Sequence, residues 1–486
     1  MPPFLALLLT FAFIVYLFRR DSAGGSNVTS AVWLPLMWMF INESKTLCEW
    51  LSTFGVPIAG GISLQNGTPL DAFVYVVLIV AGFLVLKKRQ ISIQQIVQSN
   101  GWLAAFLAYC FLAIIWSDFP IVSLKHWIKV IGNPIMVLIL LTEADPLKAV
   151  MTLLKRSAYL FVPLSVLAIK YYPNIGRSYD AWTGAQTTNG IAEDKNMLGC
   201  ACMIMGCFFV WNLLKTLGLE KSKERRNETI LTVFFLCLIG WLFLKANCAT
   251  SLISLFLCIA LMSLAKLPFV NKRLLGTYLV VAALVLVLVQ VAFGTIGDIA
   301  NLSGHDETYV GRTKLWKELL QFPVNPILGA GFESFWLGDR LKQLWAEHWW
   351  HPTEAHNGYL ETYLNLGLVG LFMLGGLIVA TFKKAIAAVA RGDEFGPFRF
   401  GFLGAVLAYN WTEAGFRGLD PVWFTFFIVA LDYPAPQPVP VVESTETSPT
   451  GVRMTLAVAR TGSPLAKNET ACQNLSQTSC SAQGGR

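Results

Sequence analysis

The chain has 486 residues, of which 55% are hydrophobic and 14% charged, with ten cysteines and a formal net charge of +7; its mean hydropathy is +0.55. So apolar a composition excludes an ordinary soluble globular protein and marks an integral membrane protein. The positive balance does not indicate a nucleic-acid partner, because Lys87, Lys88, Arg89 and the basic cluster at 215–226 lie in short links between apolar runs, where such charges set topology.

A bilayer core of about 30 Å asks for about 20 mostly apolar residues per helix, which leaves room for about 12 spans (11–13). The first apolar run, 4–18, is followed by Arg19 and Arg20. A signal peptide carries its charge before the apolar core, so this order predicts an uncleaved anchor. A shorter run follows at 30–41, and 1–41 reads as N-terminal membrane anchor segments. Further spans are predicted at 70–86, 101–116, 127–141, 152–169, 197–214, 229–245, 248–265, 274–296, 358–381, 399–411 and 421–432. With the basic links at 87–89, 215–226, 266–273 and 383–391 in the cytoplasm, every helix between them alternates direction without conflict. The fold class is therefore all-α, a polytopic integral membrane protein. A helix bundle with outer loops is expected over 42–296, one large periplasmic catalytic loop with short interfacial helices over 297–357, and C-terminal spans over 358–433. The Pro-, Ser-, Thr- and Gln-rich residues 434–486 have too little apolar surface to fold and read as a disordered cytoplasmic tail. Most cysteines sit inside apolar runs without metal-ligand spacing, so neither a disulfide framework nor a zinc site is expected.

Four of the five histidines, His305, His348, His351 and His356, fall in the stretch 304–370. Polar chemistry gathered in one loop of a hydrophobic chain marks that loop as the candidate active site. Residues 311–320 have the pattern of a short helix presenting Leu315, Trp316 and Leu319, with Arg312 near a first turn whose free N–H groups favour an anion. Residues 334–350 form an aromatic, amphipathic segment suited to the interface. The spacing of His348, His351 and His356 does not match HExxH, and no metal is expected. His356, where the loop re-enters the membrane, reads either as a general base or as an interfacial residue capping the next helix. Arg177, Lys195 and Asn196 stand near the outer ends of adjacent helices, where basic residues should be scarce. Snorkelling explains them, and so does an anion at that surface, for which the fork of Arg177 suits a phosphate. Lys245 at a hairpin tip and Lys125, His126 and Lys129 at another helix end read both ways.

The order and spacing of GRTKLW, NPILGAGFESFW and AHNGYLETYLNLGLVG, with YYPNIGRSYDAWTG, DKNMLG and WSDFPIVSLKHWIKVIGN nearer the start, resemble the O-antigen ligase and polymerase superfamily. The likeness is closest to its exopolysaccharide-production branch and covers roughly residues 30–432. It implies a membrane glycosyltransferase at the periplasmic face of the bacterial inner membrane. Such an enzyme takes an oligosaccharide from an undecaprenyl-pyrophosphate carrier and joins it to a sugar hydroxyl, on a growing chain for a polymerase or on lipid A–core for a ligase. The resemblance makes His356 the histidine of the AHN motif, Arg312 the arginine opening the large loop, and Lys195 and Asn196 the DKN pair. The family's hairpin Ser-Arg is replaced here by KANCATS, where Lys245 or Arg177 stands in. On this reading Arg312, Arg177, Lys195 and Lys245 hold the pyrophosphate without a metal or other cofactor. His356 takes the acceptor's proton, with Glu354 or Asn357 orienting the ring. Trp336, Trp349 and Trp350, with Trp345, stack on sugar rings or anchor the loop in the interface. The implied partners are the lipid-linked donor, a glycan acceptor, the bilayer, and chain-length and export proteins. The alternatives are a ligase, a protein O-oligosaccharyltransferase and, from another class, a lipid-linked sugar flippase. A flippase should carry ionisable residues inside several spans, whereas most spans here have none.

Overall fold

The computed structural model describes residues 1–23, 28–56, 67–179, 184–278 and 306–434. Most of the predicted span at 274–296, the start of the large loop with His305, and the tail from 435 lie outside these residues. The described chain runs α1 (Pro3–Ala23), α2 (Trp33–Glu43), α3 (Leu47–Thr53), α4 (Pro69–Lys88), α5 (Ile93–Ser99), α6 (Gly101–Leu112), α7 (Pro120–Leu141), α8 (Pro146–Tyr171) and α9 (Pro173–Gly176). An antiparallel pair, β1 (Arg177–Tyr179) and β2 (Gln186–Thr188), precedes α10 (Lys195–Leu217), α11 (Lys223–Ala246) and α12 (Ala249–Lys266). Then come α13 (Asp306–Leu319), α14 (Gly338–Glu347), α15 (Gly358–Arg391), α16 (Gly396–Thr412) and α17 (Pro421–Ala430).

Local sequence sets the helix starts. Thr68-Pro69, Asp145-Pro146 and Asp420-Pro421 each join a side-chain cap to a proline in the first turn, and Asp194 and Ser222 cap α10 and α11. Among the described residues, eight helices, α1, α4, α7, α8, α10, α11, α12 and α15, are long and apolar enough to cross a membrane. Helix α17 has 10 residues, every one buried. At a rise of 1.5 Å per residue it is about 15 Å long, too short to cross alone, so the predicted last span is a core element enclosed by the bundle. Close packing elsewhere depends on small residues. A Cβ at Gly404 of α16 would stand 2.2 Å from Leu261 Cδ1 of α12.

The motif NPILGAGF has a structural role. Helix α15 is broken at Gly367, whose φ of 65° and ψ of −164° suit glycine alone. The loop before α14 fits into the break: Ala330 N donates to Leu364 O and Gly331 N to Asn365 O, both at 2.9 Å, while Leu368 N donates to Pro326 O at 2.9 Å. Tyr109 Oη donates to Leu366 O at 2.9 Å. The interrupted helical bonds are thus replaced from outside, and the first turns of α15 are held as a separate piece over the end of the bundle. Beneath α13, Leu315 and Leu319 are buried with Phe335, Leu344, Ala355 and Leu364 in a small core of their own.

The bundle has two chemically distinct ends. At one, Arg156 pairs with Asp21 at 2.7 Å, Lys155 with Glu228, Arg89 with Glu143, Lys215 with Glu394 at 3.0 Å, and Arg399 with Asp432 at 2.9 Å. Helices α8, α10, α11, α12, α15 and α16 run from that end to the other, where Ile169, Asp194, Lys245, Cys248, Asn357 and Glu413 lie. The basic links share the first end, and the loops 117–120, 184–196, 320–357 and 412–420 share the second.

Candidate active site

His356 is fixed from both sides by its own chain. Asn357 caps α15 through its Oδ1, which accepts from Tyr359 N and Leu360 N at 3.0 Å, and its Nδ2 donates to Trp411 O at 3.1 Å. Gly358 N donates to Glu413 O at 2.9 Å, and a Cβ at Gly358 would stand 2.0 Å from Asn410 Oδ1. On the N-terminal side, Ala355 N donates to Glu361 Oε2 at 3.0 Å and Ala355 O accepts from Trp316 Nε1 at 2.7 Å. His356 itself has a φ of 47°, the left-handed region that side chains rarely adopt. The backbone is bent to present this ring.

The ring lies within a row of alternating charges. His356 Nδ1 is 2.8 Å from Glu354 Oε1 and 3.4 Å from Glu413 Oε2. Each carboxylate in turn holds an arginine: Arg312 Nη2 is 2.9 Å from Glu413 Oε1, and Arg417 Nη2 is 3.1 Å from Glu354 Oε2. Burial alone would push Glu354 up, but Arg417, His356 and Arg312 hold it down at about 2. Burial would also lower His356, yet Glu354 and Glu413 raise it to about 10. Both carboxylates meet Nδ1, so Nε2 is the nitrogen left to exchange a proton with a ligand, and the two arginines flank it as anion-binding forks.

Other residues read from the sequence fall in different places. Lys195 opens α10 directly after Asp194, which lies within electrostatic reach of Glu354 and Glu413. Arg177 donates through Nε and Nη2 to Ile169 O at 3.2 and 3.0 Å. Lys245 Nζ stands 5.8 Å from the Trp241 ring, which Lys170 approaches at 5.2 Å from the end of α8. The three cations Lys170, Arg177 and Lys245 thus gather around the β1–β2 pair, and among the described residues no contact joins Arg177 or Lys245 to His356. Of the tryptophans, Trp350 stacks over His356 at 6.5 Å between centroids, and Trp336 donates to Glu361 Oε1 at 2.7 Å. Trp349 is 59% exposed, enough to meet a ligand or a membrane surface.

Sequence reasoning missed Glu413 and Arg417. The available signal was an acid and a base in a short loop, 412–420, between two apolar runs on the same predicted face. Glu354, His356 and Glu413 also bring ligand-type atoms within 4.8 Å of one another. A divalent cation placed there would compete for those carboxylates with the two guanidinium groups already bonded to them.

Residues 230–375 match the family model described as O-antigen ligase. That match runs from α11 past the break in α15 and contains Arg312, Glu354, His356 and Asn357, while Glu413 and Arg417 follow it. The chain is also similar to the exopolysaccharide production protein ExoQ of Rhizobium meliloti (strain 1021), 25% identical over 306 residues that cover 60% of this chain and 67% of the relative. Both matches support the resemblance carried by the motifs: this multi-pass membrane protein is similar to the O-antigen ligases over part of its length and to a protein of exopolysaccharide production.

Proposed function

We propose that the protein is a membrane glycosyltransferase that transfers undecaprenyl-pyrophosphate-linked oligosaccharide repeat units to a sugar hydroxyl at the periplasmic face of the inner membrane, polymerising an exopolysaccharide. The observation that carries this reading is the row Arg312, Glu413, His356, Glu354, Arg417, in which an oriented imidazole lies between two anion-binding arginines. The acceptor oxygen bonds to the anomeric carbon as the bond from that carbon to the pyrophosphate oxygen breaks. His356 Nε2 takes the hydroxyl proton, with Glu354 holding the ring through Nδ1. Arg312 and Arg417 take up the charge on the departing pyrophosphate, the task a metal ion performs elsewhere. Lys195, at the start of α10, adds positive charge on the same side. Lys170, Arg177 and Lys245 stand apart from this row and draw the anionic carrier to the membrane surface before its pyrophosphate enters the row.

A ligase is the second reading, favoured by the description of the family that the chain matches. It differs only in the acceptor. The test is polysaccharide output from a deletion strain complemented with wild type, His356→Ala or Arg312→Ala, with extracted glycolipids run on the same gel. Loss of long polymer, with single repeats accumulating on the carrier, supports the polymerase. Intact polymer stranded on its carrier supports the ligase. Wild-type output from both variants at native membrane levels refutes both readings.

A further inference from the structure

A second acid–base pair lies on the other side of the 412–420 loop. His126, in the second turn of α7, places Nδ1 3.0 Å from Glu333 Oε2; the two side chains are 22% and 23% exposed, while His126 Nδ1 and Glu333 Oε1 are themselves buried and left without a hydrogen-bond partner. Glu333 has a φ of 45° and shares that rare conformation with His356. The chain is pinned on both sides of it: Gly331 N donates to Asn365 O at 2.9 Å, and Ser334 N and Phe335 N donate to Asn365 Oδ1 at 3.0 and 3.1 Å. The break in α15 that carries His356 therefore also aims Glu333.

On its far side the Glu333 carboxylate packs against Gly418, where a Cβ would stand 3.2 Å from Oε1. Gly418 follows Arg417, which is bonded to Glu354 and lies within electrostatic reach of Glu333. Glu333 and Glu354 thus flank one arginine, and Glu354 holds the catalytic ring. Burial would raise Glu333, but the His126 ring and Arg417 hold it below the ordinary carboxylate range, so it is ionised at neutral pH. Lys129, three residues beyond His126, lies within reach of both Glu333 and Asp71, with its amine 5.8 Å from the Tyr75 ring.

A carboxylate beside an imidazole, without the bonded arginine that Glu354 and Glu413 each have, does not suit a phosphate. The pair suits a neutral polyol, because every sugar hydroxyl both donates and accepts. We propose that His126 and Glu333 form the acceptor-side sugar subsite, which holds the terminal sugar of the acceptor glycan so that its attacking hydroxyl faces His356 Nε2. Both are positioning residues and neither exchanges a proton with the reacting atoms. The subsite rests on the glycosyl-transfer reading above.

The test uses full-length protein in nanodiscs, with oligosaccharides of one to three repeats cut from the cell's own surface polysaccharide as probe. Binding of the probe is measured by calorimetry, and transfer from extracted lipid-linked donor at varied donor and acceptor. Glu333→Ala is expected to weaken probe binding and raise the acceptor concentration for half-maximal rate at least tenfold. The saturating rate should stay within threefold and the donor requirement unchanged. Glu333→Gln and His126→Gln keep part of the hydrogen bonding, and an intermediate loss is expected from each. They carry the test if Glu333→Ala does not accumulate. Wild-type probe binding in all folded variants overturns the subsite, as does a parallel loss of donor and acceptor affinity. Should wild type bind the probe but transfer nothing, the glycosyl-transfer reading fails, and the weaker binding of Glu333→Ala still decides the subsite.

Discussion

The rate of a reaction that needs His356 as a base depends on how much of it is neutral. The two carboxylates on Nδ1 move this histidine from its ordinary 6.5 to about 10. That is a preference of about 5 kcal/mol for the imidazolium, and at pH 7.5 it leaves about one site in 300 neutral. The same contacts that make Nε2 a strong base keep it protonated at rest. For purified enzyme at subsaturating donor, kcat/KM should therefore rise about tenfold per pH unit between pH 7 and 9 before levelling. Glu354→Gln removes the larger of the two carboxylate influences on the ring. Its limb should move at least one pH unit to the acid side, even though the looser ring lowers the plateau. The assay is initial rate of carrier-linked product formation across pH 6–10, with protein stability checked at each pH. A flat wild-type profile from pH 6 to 9, or limbs at the same pH in wild type and Glu354→Gln, would refute the base assignment and leave His356 as a fixed cation.

Three further outcomes follow from the same geometry. Glu413 is 6% exposed where it meets Arg312, so Glu413→Ala leaves a nearly buried guanidinium unpaired and should cost about 3–5 kcal/mol, read as a lower melting temperature in detergent. Gly367→Ala sets a Cβ 2.2 Å from Ile327 O at a φ of +65°; a loss of about 3 kcal/mol or more is expected, with reduced membrane accumulation. The pH dependence of stability has a definite sign. Because folding raises His356 from 6.5 to about 10, its contribution is full below about 6.5 and is lost as pH rises through 10. Glu354, held at about 2, contributes above about 4.5 and loses that contribution as pH falls through 2. Melting temperature should therefore decline from pH 6.5 to 10, and His356→Gln should flatten the decline.

Much of the bundle was legible because membrane helices announce themselves by apolar length, and caps such as Thr68-Pro69 and Asp145-Pro146 mark where they begin. The 421–432 run misled by the same logic: PVWFTFFIVA is as apolar as a span, but its apolarity reflects burial on all sides by protein. The motif NPILGAG carried a likeness without its cause, since nothing local says that these residues fill a gap in a helix some 40 residues later. Of the candidate site, His356, Glu354, Asn357 and Arg312 could be named because they sit in one stretch rich in polar residues. Glu413 and Arg417 could not, because they reach His356 only through the docking of α16 beside α15. Arg177 and Lys245 show the converse: a shared face is not a shared site, and hairpin and helix-end geometry draws them to Ile169 and Trp241 instead.

The most direct measurement of the central claim is bond formation itself. Purified protein would be reconstituted in liposomes with a single-repeat, pyrophosphate-linked donor and the products separated by size. The account predicts carrier-linked glycans of two and more repeats with wild type, a loss of about a hundredfold to ten-thousandfold in rate with His356→Ala, and free carrier pyrophosphate released in step with each new linkage. Chain growth at the wild-type rate by His356→Ala, in equally folded protein, would contradict it.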